Sequence, residues 1–225
     1  MRFGLVVGLG TAAGIFYYRR LVQTLDKRGS VPELLLAHAD VGRVFEFQRA
    51  TDFDGLSAYL AGILRWLAGA GCAEGAVCAV SPHVCIAQLR QRSPIPIVDV
   101  LEVVRAALKQ RGYSRVALFG ARRVIETDLF GAIRDCDVVR PSAHEIDEID
   151  CLYTTLVSRG AATPEERDAI NHLGAAITER ERLDAIVFAG TDLSAVYEGV
   201  NFDFPILDVA EEHVAAIAGR VELVN

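Results

Sequence analysis

Positive charge is in short supply along this chain: 23 lysines and arginines face 30 aspartates and glutamates, for a formal net charge of −7. No basic cluster is interleaved with aromatic residues, so the electrostatic footprint of a nucleic-acid binder is missing and nucleic acid is excluded as a partner. Long apolar runs are missing too. None reaches the ~18 residues that a membrane-spanning helix requires. The five cysteines, at positions 72, 78, 85, 136 and 151, are odd in number and lack C-x-x-C spacing. They read as thiols of a cytoplasmic protein rather than as a disulfide framework. Histidines 38, 83, 144, 172 and 213 are scattered with no H-x-x-x-H pair, so no metal site is expected. The opening "MRFGLVVGLGTAAGIFYYRR" has four glycines in its apolar run and no preceding cluster of positive charge. It reads as a buried strand, a turn and a helix rather than as an export signal.

What the chain has is 225 residues of which 52% are hydrophobic, enough for one large domain or two lobes with a sizeable core. Short apolar runs alternate with longer amphipathic ones. Strands are expected at 3–7, 33–37, 75–80, 95–98, 115–120, 137–140, 184–189 and 205–207. Helices are expected at 12–25, 55–70, 100–110, 126–132, 145–158, 164–181 and 210–219. Strands that are apolar throughout, separated by helices, predict an α/β fold with parallel sheets covered on both faces. Near 163, Thr163 followed by Pro164, Glu165 and Glu166 has the order of a helix cap and first turn.

An internal repeat refines the fold class. "PIPIVDVLEVVRAAL" and "FDFPILDVAEEHVAAIA" share Pro-Ile-x-Asp-Val-x-Glu, with Pro96, Asp99 and Glu102 answering Pro205, Asp208 and Glu211. "FGLVVGLG" answers "VALFGARR", and "AVCAVSPH" answers "IVFAGTDL", all offset by about 110 residues as one duplication would leave them. The expected architecture is two pseudo-symmetric, doubly wound α/β lobes with parallel sheets and an active-site cleft between them. Lobe one is taken as 1–98 with 207–225, and lobe two as 99–206.

The two-lobed plan, "SPH" closing a strand in lobe one, "AGTDL" in lobe two, and the segments "GLGTAAG", "HADVGRVFEFQ", "VIETDLF", "LYTTLVSRGAATPEER" and "PILDVAEEHVAA" together resemble the aspartate/glutamate racemase superfamily. That superfamily also includes hydantoin racemases, maleate isomerases and arylmalonate decarboxylases. Its racemases use Cys-Asn-Thr-x-His in lobe one and Gly-Cys-Thr-Glu-Leu in lobe two, one thiolate removing the α-proton while a thiol on the opposite face returns one. Aligned on His83, this chain has Ala79 and Ser81 at the Cys and Thr positions; aligned on Thr191, it has Gly190 at the second Cys. Both usual catalytic cysteines are therefore missing. Cys78 lies one residue early, on the other face of its strand, and both it and Cys85 read as small buried hydrophobes.

The remaining polar residues define the candidate site. His83, with an ordinary pKa of about 6.5, suits a general acid or base. Asp192 stands where the lobe-two motif of the racemases has Glu, and His213, five residues after Asp208, matches the family's Asp-x-x-x-x-His pattern. These three are the catalytic candidates. Gly8, Gly10 and Thr11 form a strand-to-helix turn whose N–H groups suit a carboxylate. Arg43 and Arg49 suit a bidentate carboxylate contact, and Ala79, Ser81, Glu126, Gly190 and Thr191 complete the substrate-binding set. The resemblance implies an isomerase or lyase that needs no cofactor and acts by acid/base chemistry at the α carbon of a small carboxylate, through isomerization, elimination or decarboxylation. It also implies a homodimer, since relatives often pair through lobe one. The alternative is a non-catalytic carboxylate-binding or regulatory protein on the same fold. A dinucleotide fingerprint in "GLGTAAG", with Asp40 on the ribose, is a third reading with poorer glycine spacing.

Overall fold

The computed structural model describes residues 2–29, 31 and 33–222, so residues 1, 30, 32 and 223–225 of the expected first lobe lie outside it. Its elements run β1 (Arg2–Val7), α1 (Thr11–Asp26), β2 (Glu33–His38), α2 (Val41–Arg49), α3 (Phe53–Gly69), β3 (Glu74–Val77), a 3-10 turn (Ser81–Cys85), α4 (Ile86–Arg92) and α5 (Val100–Arg111). They continue with β4 (Arg115–Phe119), α6 (Arg122–Glu126), α7 (Asp128–Gly131), β5 (Asp137–Val138), α8 (Ala143–Arg159), α9 (Pro164–Glu181), β6 (Ala185–Phe188), α10 (Thr191–Val196), β7 (Ile206–Asp208) and α11 (Val209–Glu222).

The chain divides into two compact units, one running to Val100 and resuming at His213, the other spanning Leu101–Glu212. The second crossing thus falls inside α11, whereas the sequence placed it at 206/207. Each unit holds one parallel sheet, ordered β2-β1-β3 in the first and β5-β4-β6-β7 in the second. In both, the first strand of the unit is central and the next two flank it, as a duplicated plan requires.

Continuous burial along the strands follows from coverage of both sheet faces. Phe3, Leu5 and Val6 of β1 are buried, as are all four residues of β6. On one face of the first sheet, Leu56, Leu60, Leu64 and Leu67 of α3 pack with Val6 and Val77 in a cluster that also takes in Leu9, Ala79 and Cys85.

Five expected elements differ. The strand at 75–80 ends at Val77, with Cys78 N–H still bonded to Val6 O at 3.0 Å. The strand at 95–98 is reduced to an isolated parallel bridge between Gly75 and Ile97, held by Gly75 N–H to Pro96 O at 3.0 Å and Val98 N–H to Gly75 O at 2.9 Å. Pro94 and Pro96 have no N–H to extend the ladder, whereas the equivalent β7 pairs over three residues with β6. The expected helix at 55–70 is preceded by a separate helix, α2, with Asp40 capping Gly42 N–H and Arg43 N–H, and Asp52 capping Gly55 N–H of α3. Between them Thr51 takes a left-handed φ of 56°. The expected helix at 126–132 breaks into α6 and α7 because Asp128, Leu129 and Phe130 have φ of 50°, 56° and 58°. The strand at 137–140 pairs only over Asp137–Val138.

Candidate functional site

In parallel sheets the loops that do chemistry leave the carboxyl ends of the strands. In the first unit these are Gly8–Thr11 after β1, His38 closing β2, and Ala79–His83 after β3, neighbours because β1 pairs with both other strands. Gly8 sits at φ +86°, and a Cβ there would meet Ala39 O and His38 Nδ1 at 2.6 Å, so only glycine lets the turn after β1 crowd against the end of β2. Gly10 precedes α1 with no side-chain cap, and the first intrahelical bond is Gly14 N–H to Gly10 O at 3.1 Å. The earlier N–H groups, including that of Thr11, present the positive end of a sixteen-residue helix.

His83 is 2% exposed. Its Nδ1 lies 2.8 Å from Ala79 O; a carbonyl only accepts, so Nδ1 carries the proton. That leaves Nε2 with its lone pair, buried and with no hydrogen-bond partner among the described residues. Burial, with a smaller contribution from the nearby Arg90 guanidinium, holds the ring's pKa down to about 4. At neutral pH this side chain is a neutral imidazole whose Nε2 has no partner among the described residues, and its lowered pKa departs from the ordinary value near 6.5 on which the sequence rested its acid/base role.

His213 is arranged differently. It is 0% exposed, contrary to the solvated position a helix beside Glu211 and Glu212 suggests. Nε2 donates to Val98 O at 2.9 Å, so Nδ1 accepts the Tyr17 hydroxyl, also at 2.9 Å. Both nitrogens are engaged, and burial together with the neighbouring His83 holds the pKa down to about 3. The two imidazoles meet edge to face with centroids 6.5 Å apart. His213 thus orients Tyr17 and walls one side of His83.

Ala79, at 6% exposure, packs with Leu9 and Cys85 in the core cluster, and Ser81 opens the 3-10 turn half-buried. Cys78 and Cys85 are buried thiols, Cys85 pushed up to about 12 and Cys78 higher still by loss of solvent. Neither is a thiolate at neutral pH. Arg43 is exposed and lies 4.7 Å over the Tyr59 ring, and Arg49 is exposed in the last turn of α2. Asp40 caps α2, its Oδ1 accepting from Gly42 N–H and Arg43 N–H.

In the second unit Gly190, Thr191 and Asp192 begin α10 after β6, with Thr191 and Asp192 2% and 3% exposed. Gly120, after β4, abuts Ala189 O. Glu126 lies on an exposed face, its carboxylate 3.6 Å from Arg122. The residue that sequence reasoning missed is Tyr153 of α8. A Cβ on Gly190 would run into its ring, 2.9 Å from Cζ and 3.1 Å from the hydroxyl oxygen, with Cε2 closer still. The aromatic ring fills the volume a side chain at 190 would take. Burial, then the charges of Asp192 and Asp150, push the phenol well above its usual range. A tyrosine within "LYTTL" gave no sign of this, because the contact is with a glycine thirty-seven residues away.

Among the described residues no group of three or more His, Cys, Asp or Glu could hold a metal ion, and no helix is long and apolar enough to cross a membrane.

Two parallel-stranded α/β units of duplicated plan, with polar turns at the carboxyl ends of their strands, define the class to which racemases of amino acids and related acids belong. The family model for Asp/Glu/Hydantoin racemase matches residues 6–217, and the chain belongs to that family. Its fold is shared with a candidate Asp/Glu racemase from Yersinia pestis (TM-score 0.84, 18% identity, 98% of each chain covered). An aspartate racemase homologue from Pyrococcus horikoshii matches at TM-score 0.82, with 19% identity and 98% of each chain covered. Glutamate racemase from Thermus thermophilus in complex with β-chloro-D-alanine matches at TM-score 0.66, with 19% identity over 99% of this chain and 80% of that one.

Proposed function

We propose that this racemase-family chain is a cofactor-independent enzyme that moves a proton at the α carbon of a small carboxylate without the two-cysteine mechanism. The observation that carries the reading is His83. A buried imidazole whose tautomer is fixed by Ala79 O and whose Nε2 is left open costs stability, and an open lone pair of this kind is what a general base needs. Beside it on the same sheet edge, the uncapped start of α1 supplies N–H groups for a carboxylate. With Ala79 and Gly190 at the two thiol positions and both nearby thiols held protonated, cysteine has no part in the reaction.

In this reading His83 abstracts the α-proton through Nε2, the backbone at Gly8–Thr11 with the Ser81 hydroxyl binds the carboxylate, and the substrate passes through an enolate. Thr191 and Asp192 serve the second unit's turn, and His213 keeps His83 in place. Arg43 and Arg49 attract the anionic substrate, while the ion-paired Glu126 takes no direct part.

The test is proton NMR of the purified protein in D2O with aspartate, glutamate and a substituted malonate, following loss of the α-proton signal and release of CO2. Time-dependent loss that disappears in His83→Asn supports the reading. Binding of these acids without exchange or CO2 release would instead establish a carboxylate-binding protein on the same fold.

A further inference from the structure

We propose that the second unit carries a ligand site of its own at the amino ends of β4 and β5, suited to a zwitterionic amino acid with an apolar side chain. A cavity of about 760 Å³ opens there. Its lining comes chiefly from two segments. Arg105, Ala106, Leu108 and Lys109 belong to α5, while Ile133, Asp135 and Cys136 lead into β5. The turn from α5 into β4, at Gly112–Ser114, joins them. The lining residues all belong to the second unit. The five-residue strand β4 sets the cavity about 13 Å from the turn that follows Phe119, so it is distinct from the polar turns at the carboxyl ends of the strands.

The chemistry of the lining sets the class of ligand. Leu108 and Ile133, each 1% exposed, give the cavity apolar surface, to which Ala106 and Tyr113 add. A cavity of this size, apolar in the main and carrying a few charged groups, has the make-up of a small-molecule site. Arg105 and Lys109 stand four residues apart on α5, which puts them on one face of the helix. Among the described residues no ion pair engages either of them, or Asp135. The two cations are thus available to a carboxylate, and Asp135, from the other segment, to an ammonium. With Glu102 also in the lining, charges of both signs balance, so a ligand carrying both is matched and a ligand carrying only one is opposed.

Cys136 supplies the readout, because its thiol lines the cavity whereas Cys151 of α8 is exposed outside it. Alkylation of both by N-ethylmaleimide is followed by peptide mass spectrometry, with L-phenylalanine as the probe. Occupancy slows alkylation by the factor 1 + [L]/Kd, so about 10 mM probe should slow Cys136 at least ~5-fold and leave Cys151 within about 1.5-fold. N-acetyl-L-phenylalanine and phenethylamine each lack one charge and should slow Cys136 by less than about twofold. Combined Arg105→Gln and Lys109→Gln, both at exposed positions, should abolish the protection while leaving the melting temperature unchanged. An unaltered Cys136 rate, equal protection by either singly charged probe, or protection that survives the double substitution would each overturn the proposal. Where Cys136 resists alkylation in the free protein, the amide NMR signals of Gly112 and Ser114 read the same titrations, and signals unmoved by L-phenylalanine overturn it too.

Discussion

Acidification should unfold this protein through His83 and His213, well above the range where most carboxylates titrate. Both rings are buried and neutral, with pKa values held down to about 4 and about 3 against an ordinary 6.5. The unfolded chain therefore binds these two protons first, and stability falls as pH drops through 6.5 until the folded-state values are reached. Between pH 7 and pH 5 each histidine costs about 2 kcal/mol, so the pair costs about 4 kcal/mol, a large share of a typical domain's stability. The buried Asp208, whose pKa is raised chiefly by burial, acts in the opposite direction. Comparison with a variant separates the two effects. Urea unfolding followed by circular dichroism at half-unit pH steps should show a loss of about 2.4 kcal/mol per pH unit from the two histidines near pH 5.5, reduced to about half in His83→Asn. A flat stability profile between pH 7 and 5, or an identical slope in the variant, would refute the burial argument.

Tyr17→Phe removes the donor to His213 Nδ1 and should cost about 1–3 kcal/mol in urea unfolding, because the nitrogen is left buried and unsatisfied. Gly8→Ala should destabilise by at least about 2 kcal/mol, since strained φ and contact with the Ala39 carbonyl add; an unchanged melting temperature would contradict the geometry. Thr51→Gly should do the reverse, raising stability by up to about 1 kcal/mol by relieving an exposed β-branched residue at φ 56°. Arg180→Ala, which breaks the pair that holds Glu145 down to about 2, should cost less than about 1 kcal/mol because the arginine is half exposed. That stability is present above the ordinary glutamate range and disappears as pH falls toward 2.

The alternation of buried strands with helices, the duplication and the family were legible because each rests on periodicity or on order along the chain. The failures share a different cause. Pro94 and Pro96 sit in an apolar run whose periodicity says strand, while their missing N–H groups say otherwise. Asp128–Phe130 adopts a left-handed turn that local propensity disfavours for every residue in it, with Arg140 bonded both to the Asp128 carboxylate and to the Glu126 carbonyl. The helix α2 is short, with Val44 its one buried residue, and so carried little apolar signal. At the site, His83 and Asp192 were visible as polar residues closing apolar strands. The tautomer of His83, the burial of His213 and the closure of Tyr153 over Gly190 depend on contacts distant in sequence, and no motif announces them.

The central claim is that a histidine, not a thiol, is the base. It is tested most directly by α-proton exchange in D2O for His83→Asn and Cys78→Ala side by side with wild type. The account predicts a loss of at least ~100-fold for His83→Asn and a rate within about threefold of wild type for Cys78→Ala. Exchange that survives loss of His83 but vanishes with Cys78 would contradict it.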